Sequence, residues 1–310
     1  MLFGVFAAGF WDMPTGHELP EYARRVGTPL NSALAVAGLC LMLYIAQLEN
    51  TERQVLLAEL QEAVARDELC LYYQPQLDDH GRLVGAEALV RWPHPKRGMV
   101  SPGEFIPMAE RSNMMGPLGD WVLRAACQQL ALWSQDEATR HLSLAVNVSA
   151  RQFQRRDFVG NVVYAARRAA APTERLKIEL TEGALAEDTQ AVSARMTALR
   201  SHAIGISLDD FGTGFSSLNY LKRLPLDQIK IDQSFVRDLP GDASDAAIVQ
   251  TILDLARTLN LQVVAEGVET DAQRAFLHER GCRCFQGYLF AKPMPAEDFQ
   301  AYVQALKASC

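Results

Sequence analysis

Beyond residue 67 short β-rich runs alternate with helical patterns, and the alternation counts to eight. The runs lie at 69–75, 83–92, 142–148, 176–180, 204–209, 226–231, 261–266 and 284–288. Helical periodicity fills most of the gaps, at about 117–134, 151–170, 183–201, 215–222, 244–259 and 270–280, with a last stretch near 296–308. Ser101-Pro102 opens a short helix over 102–112, a cap residue followed by proline at the first helical position. The first two runs are joined by Asp78-Asp79-His80-Gly81, a hairpin turn with no room for a crossover helix. The first strand therefore runs antiparallel to the second, and the others run parallel. The pattern predicts an α/β fold, a modified TIM (β/α)8 barrel with its first strand antiparallel, over residues 52–310.

Residues 1–51 read differently, as an apolar N-terminal segment. The stretch 33–46 is fully apolar, and widening it to 30–48 adds only Asn31, Ser32 and Gln47. That is the lower edge of what crosses a bilayer, about 17–25 residues. Arg24 and Arg25 before it, and Glu49, Glu52 and Arg53 after it, give no firm orientation. No charged opening or small-residue cleavage site marks a secretory signal. Three readings stay open: a transmembrane helix over 30–48 that tethers the chain to the inner membrane, a helix buried against the main unit, or the tail of an upstream domain. For the last, residues 42–47 faintly resemble the closing helix of a GGDEF domain. From Glu52 the pattern turns amphipathic, with Val55, Leu56, Leu60, Ala63 and Val64 at helical spacing, and predicts a linker helix ending at Asp67.

In the barrel fold, chemistry gathers at the C-terminal ends of the parallel strands. Those ends are unusually polar: Asn147 on the third run, Glu179 on the fourth, Asp209-Asp210 on the fifth, Lys230 on the sixth, Glu266 on the seventh and Gln286 on the eighth. Glu87 stands inside the otherwise apolar second run. A buried carboxylate costs several kcal/mol unless it is paired or bound to a metal. Oxygen ligands of this kind suit Mg²⁺ or Mn²⁺, and two adjacent aspartates can serve two metals at once, as in-line attack on a phosphodiester requires. Gly212 and Gly214 permit a tight turn after the aspartates, and serve equally as ordinary turn residues. Arg91 shares a strand face with Glu87 and Leu89 and can fork onto a phosphate. Lys230, in an Ile-Lys-Ile strand, needs an anion nearby: it either holds an attacking water or forms a structural ion pair with Glu266 or Asp232.

Composition narrows the partners. The chain carries 30 Lys+Arg against 37 Asp+Glu, a net charge of −7, which excludes a broadly cationic binder of nucleic acid polymers. An anionic substrate therefore needs local cations. The 49% hydrophobic content excludes a disordered chain. Six cysteines with no Cys-x-x-Cys pair point to a reducing compartment, and so to a cytoplasmic catalytic unit. Cys282 and Cys284 share a strand face and read as core residues.

The motifs in order are Tyr73-Gln74-Pro75, Glu87-Ala88-Leu89-Val90-Arg91-Trp92, Asn147-Val148-Ser149, Glu179-Leu180-Thr181-Glu182, Asp209-Asp210-Phe211-Gly212-Thr213-Gly214, Lys230-Ile231-Asp232, Ala265-Glu266-Gly267-Val268-Glu269 and Gln286-Gly287-Tyr288. With them the chain from about residue 55 to 308 resembles an EAL domain, the bacterial phosphodiesterase of the second messenger cyclic di-GMP. The resemblance implies metal-dependent cleavage of cyclic di-GMP to linear pGpG. It implies a first metal held by Glu87, Asn147, Glu179 and Asp209, and a second held by Asp209 and Asp210. Lys230 and Glu266 would position and activate the attacking water, while Gln74, Leu89 and Arg91 would meet the substrate and Glu269 and Gln286 complete the rim. Glu182 would anchor the loop 210–217, which in this family lies near a dimer interface, so a homodimer is expected. Phe215 stands where the family usually has tyrosine, and no ligand position is replaced. A receptor that binds without cleaving, or a scaffold with an idle rim, would fit the same fold; the intact ligand set favours the hydrolase.

Overall fold

The computed structural model describes residues 21–185, 189–213 and 221–308. By backbone contacts the chain divides into two compact units, Met1–Leu56 and Leu57–Cys310. The first helix, α1, runs unbroken from Glu21 to Ala65. The sequence reading divides this span into an apolar segment and a linker helix, yet neither glycine nor proline stands between Leu39 and Ala65 to break it. Among the described residues no helix is long and apolar enough to cross a membrane. The uninterrupted apolar run, 33–46, is shorter than the span of about 20 residues that a bilayer needs.

Eight strands close the barrel: β1 (Cys70–Asp78), β2 (Leu83–His94), β4 (Ser143–Val148), β5 (Leu176–Thr181), β6 (Gly205–Phe211), β7 (Gln228–Ile231), β8 (Gln262–Ala265) and β9 (Cys284–Phe285). The ring runs β1-β9-β8-β7-β6-β5-β4-β2 and shuts where β1 pairs with β2. β1 is antiparallel to both neighbours, and the remaining pairs in the ring are parallel. That is the predicted barrel. A ninth strand, β3 (Gly98–Val100), adds a short hairpin to β2 outside the ring.

Alternation along the strands decides what each face carries. Leu176, Ile178 and Leu180 on β5, Ile206 and Leu208 on β6, and Ile229 and Ile231 on β7 are all fully buried, each such side chain contributing roughly 1.5–3 kcal/mol. The residues between them, Glu179, Ser207, Asp209, Gln228 and Lys230, make a polar inner face. Helices α2 (Pro102–Arg111), α3 (Met115–Gln135), α4 (Ala150–Phe153), α5 (Phe158–Ala169), α6 (Thr189–Ser201), α7 (Gln233–Val236), α8 (Ala243–Leu259), α9 (Asp271–Glu279) and α10 (Ala296–Ala308) complete the order. The helix expected over 151–170 is two: α4, capped by Ser149, stops at a turn where Arg155 binds Asp120 and Asp157, and α5 follows. Most of the helix expected at 215–222, and Phe215 with it, lies outside the described residues.

Candidate active site

Five strands of the parallel set, β2, β5, β6, β7 and β8, bring their polar ends to one place. The centre is Lys230, fully buried on β7. Its Nζ lies 2.6 Å from Glu266 Oε1, 2.8 Å from Glu179 Oε2, and 3.2 Å from both Glu87 Oε2 and Asp209 Oδ1. The structural pairing with Glu266 is thus present, as one of four, and Asp232 is absent from the set. Asp232 instead caps α7 through the N–H of Ser234.

One ammonium among four carboxylates cannot neutralise them. Burial pushes the Glu179 carboxyl well above its ordinary range, and repulsion from Glu87 and Asp209 adds to it. Burial likewise raises Glu266 to about 8, and burial with the neighbouring Asp209 and Asp232 raises Asp210 to about 6. For Glu87, burial is outweighed by Lys230 and by hydrogen bonds from Gln286 and Asn147, which hold it below the usual carboxylate value. Burial works to lower the Lys230 pKa, yet Glu179, Glu266, Glu87 and Asp209 hold it well above a free lysine. Such a cluster calls for more positive charge than the protein supplies.

The donor set meets that need. Oxygens of Glu87, Glu179 and Asp209 lie within 4.8 Å of one another, and so do those of Asp209, Asp210 and Glu266. Glu179 Oε1 is buried with no hydrogen-bond partner. A buried carboxylate oxygen left without a donor, inside an all-oxygen group, fits a hard divalent cation. Asp209 belongs to both groups, so two adjacent ions could share it.

The two aspartates reach one site because the strand is irregular there. Neighbouring residues on a regular strand face opposite ways. The β6–β7 pairing shifts between Leu208 and Phe211, and Asp210 takes a left-handed backbone with φ of 53°. The Asp210 N–H donates to Asp209 Oδ1 at 3.0 Å, and Thr213 closes the turn onto the Asp210 carbonyl. A non-glycine residue in that conformation costs of order 1–3 kcal/mol and is typical of functional sites.

Around the acids lies an amide network. Gln286 Nε2 donates to Glu87 Oε2 at 2.6 Å and to Gln74 Oε1 at 3.0 Å, while its own oxygen accepts from Gln76 Nε2 at 2.8 Å. Asn147 donates to Glu87 Oε1. Gln286 therefore has its amide committed to protein groups. Gln76, absent from the sequence reading, is buried here; its only sequence signal is its place two residues after Gln74 on the same strand face. Leu89 and Arg91 are half-buried further along β2, where the Arg91 guanidinium sits 5.4 Å from the Tyr72 ring centre and donates to the Val90 carbonyl. Glu269 is exposed ahead of α9, and among the described residues no hydrogen bond or ion pair joins its carboxylate to the cluster. Glu182 is buried at the head of a short 3-10 turn, Glu182–Leu185, but residues 214–220 of the loop it would anchor lie outside the described residues.

Comparison with known proteins agrees with this geometry. Residues 57–293 match the EAL domain. The chain is 45% identical over 256 residues, 82% of its length, to the bifunctional diguanylate cyclase/cyclic di-GMP phosphodiesterase MucR of Pseudomonas aeruginosa. It is 39% identical over 295 residues, 94% of its length, to the cyclic di-GMP phosphodiesterase NbdA of the same organism. It covers 37% and 38% of those proteins, so it spans well under half the length of the curated relatives it matches. A solved structure of the MucR phosphodiesterase in complex with cyclic di-GMP superposes with a TM-score of 0.76 over 79% of this chain and 99% of that one, at 45% identity. With the family match over residues 57–293, 45% identity over most of its length and the shared fold, the chain belongs to the EAL domain family.

Proposed function

We propose that this chain hydrolyses one phosphodiester bond of cyclic di-GMP to give linear pGpG. The observation that carries the reading is the pair of carboxylate groups sharing Asp209 around a buried Lys230. Relatives named as cyclic di-GMP phosphodiesterases at 39–45% identity support the substrate. Glu87, Asn147, Glu179 and Asp209 would hold one ion and Asp209 with Asp210 a second, Mg²⁺ or Mn²⁺; Glu266 stands close enough to join the second. When bound, such ions polarise the phosphodiester and make water more acidic. Lys230, held protonated by its neighbours, donates to the attacking water and orients it. Glu266, paired with Lys230 at 2.6 Å, is placed to take that water's proton. Arg91 grips a phosphate of the substrate, with Leu89 and Gln74 beside it, and Gln286 fixes the orientation of Glu87. Glu269 at the rim, and Glu182 as the anchor of the loop 210–217, belong to the same assignment.

The catalytic unit, residues 52–310, acts in the cytoplasm and as a homodimer, with residues 1–51 as an apolar N-terminal segment. Sedimentation of the full chain and cell fractionation test these two points. The activity is tested by chromatography of cyclic di-GMP incubated with the full chain and Mg²⁺, Mn²⁺ or chelator. Metal-dependent pGpG, lost in Glu87→Ala with the fold retained, is the expected result. Saturable binding with no product under any condition would overturn it and leave a receptor.

A further inference from the structure

A cavity of about 570 Å³ opens at the N-terminal mouth of the barrel, the end away from the acidic cluster. Its wall is made by residues that begin the strands: Ser143 on β4, Lys177 on β5, Gln228 on β7 and Cys284 on β9, with Gln76 from the antiparallel β1. The volume is within the range of small-molecule sites, about 300–1,000 Å³. Lys177 is half-buried there, and its Nζ donates to Gln228 Oε1 at 2.6 Å. Gln228 in turn donates through Nε2 to Ser207 Oγ at 3.1 Å, which fixes its oxygen on the lysine.

An ammonium has three donors. Among the described residues no second acceptor meets Lys177, and no carboxylate lies within 4.0 Å of it. Two further cations, Arg257 and Arg283, line the same cavity. Arg257 also touches the exposed Asp254, a contact worth little at the surface, and Arg283 pairs at 3.1 Å with the half-buried Asp79, which His278 shares. The lining holds one acid, Asp78, and Arg82 already engages it at 2.7 Å. In a chain of net charge −7, the lining of this mouth holds three cations, Lys177, Arg257 and Arg283, and one carboxylate, Asp78.

We propose that the N-terminal mouth binds a small phosphate-bearing molecule, with Lys177 as its charge partner, Ser143 as a hydrogen-bond partner and the two arginines as forks on its oxyanion. Guanidinium pairs and a compact ammonium are the usual partners of phosphate oxygens. The site contains none of the proposed metal ligands, although Gln76 belongs both to its wall and to the amide network behind Glu87. It lies one inward-facing layer below: Lys177, Gln228 and Cys284 each stand two residues before Glu179, Lys230 and Gln286.

The test is calorimetric titration of the metal-free full chain with inorganic phosphate, with glycerol phosphate and with acetate, at constant ionic strength set by chloride. Saturable binding of a phosphate compound is expected, with Lys177→Met weakening it about tenfold or more, about 1.4 kcal/mol. Glu87→Gln should bind as the unaltered chain does, and Arg283→Gln should bind more weakly, a second reading if the lysine variant fails to fold. Binding of the monoester alone would assign an organic phosphate; binding of both would assign the phosphate group itself. The proposal is overturned if no phosphate compound saturates, if acetate binds equally well, if both cation variants bind unchanged, or if Glu87→Gln abolishes binding.

Discussion

At the scale of single residues the site is a problem in charge balance. A lone ammonium in a barrel interior costs several kcal/mol, and four carboxylates there would cost more. Together they are tolerable, because Lys230 contacts all four, but the excess negative charge remains. The amides around Glu87 matter for the same reason: Gln286 and Asn147 are neutral donors that keep it ionised and fix its direction, while Gln74 and Gln76 bond to Gln286. Gln76 touches no acid, so its role is to hold Gln286. Residues behind metal ligands typically account for about 10–100-fold in affinity or activity. Gln76→Leu should lower Mg²⁺ affinity by about that factor with little change in melting temperature, measured by calorimetry and thermal unfolding. Unchanged affinity would remove Gln76 from the positioning network.

At the scale of elements, the barrel's regularity carries the site and its irregularities shape it. Parallel strands in register set Asn147 beside Glu179, and Thr181 beside Asp209. The break in pairing at Asp209–Asp210 then brings two consecutive carboxylates to one side. A second tight place follows β9. A Cβ on Gly287 would lie 2.1 Å from the Val268 carbonyl oxygen and 2.3 Å from its nitrogen, both rigid backbone. Gly287→Ala must therefore push apart the strand end that carries Gln286 and the turn after Glu266. We expect a loss of about 1–3 kcal/mol in denaturant unfolding, together with reduced metal affinity. Full stability in that variant would show that the turn yields freely.

At the scale of the whole molecule the acidic mouth makes stability depend on pH and on cations. Asp210 and Glu266 keep their protons to about pH 6 and about pH 8, against 3.8 and 4.5 for the free groups. Between about pH 4 and pH 8 the folded chain thus binds more protons at these positions than the unfolded one. Their contribution is fully present below the unfolded values and is lost as pH rises through the folded ones. The metal-free chain should melt lower at pH 8 than at pH 5.5, by about 2–4 °C per kcal/mol lost. Mg²⁺ should raise the midpoint more at pH 8, because it binds the deprotonated groups and is itself coupled to proton release. Midpoints insensitive to both pH and Mg²⁺ would contradict the charge balance.

Hydrophobic alternation, the helix-free link at 78–81 and the polar strand ends are local properties, so the eight-stranded barrel, its reversed first strand and Glu87, Asn147, Glu179, Asp209, Lys230 and Glu266 could be read from the sequence alone. Contacts between residues far apart in the chain could not. Only the folded structure decided that Lys230 touches four acids instead of one, that a register shift brings Asp209 and Asp210 together, and that Gln76 supports Gln286 across 210 positions. Only it showed a cationic cavity at the opposite mouth, because Lys177, Arg257 and Arg283 become neighbours when the barrel closes and in no local stretch of sequence.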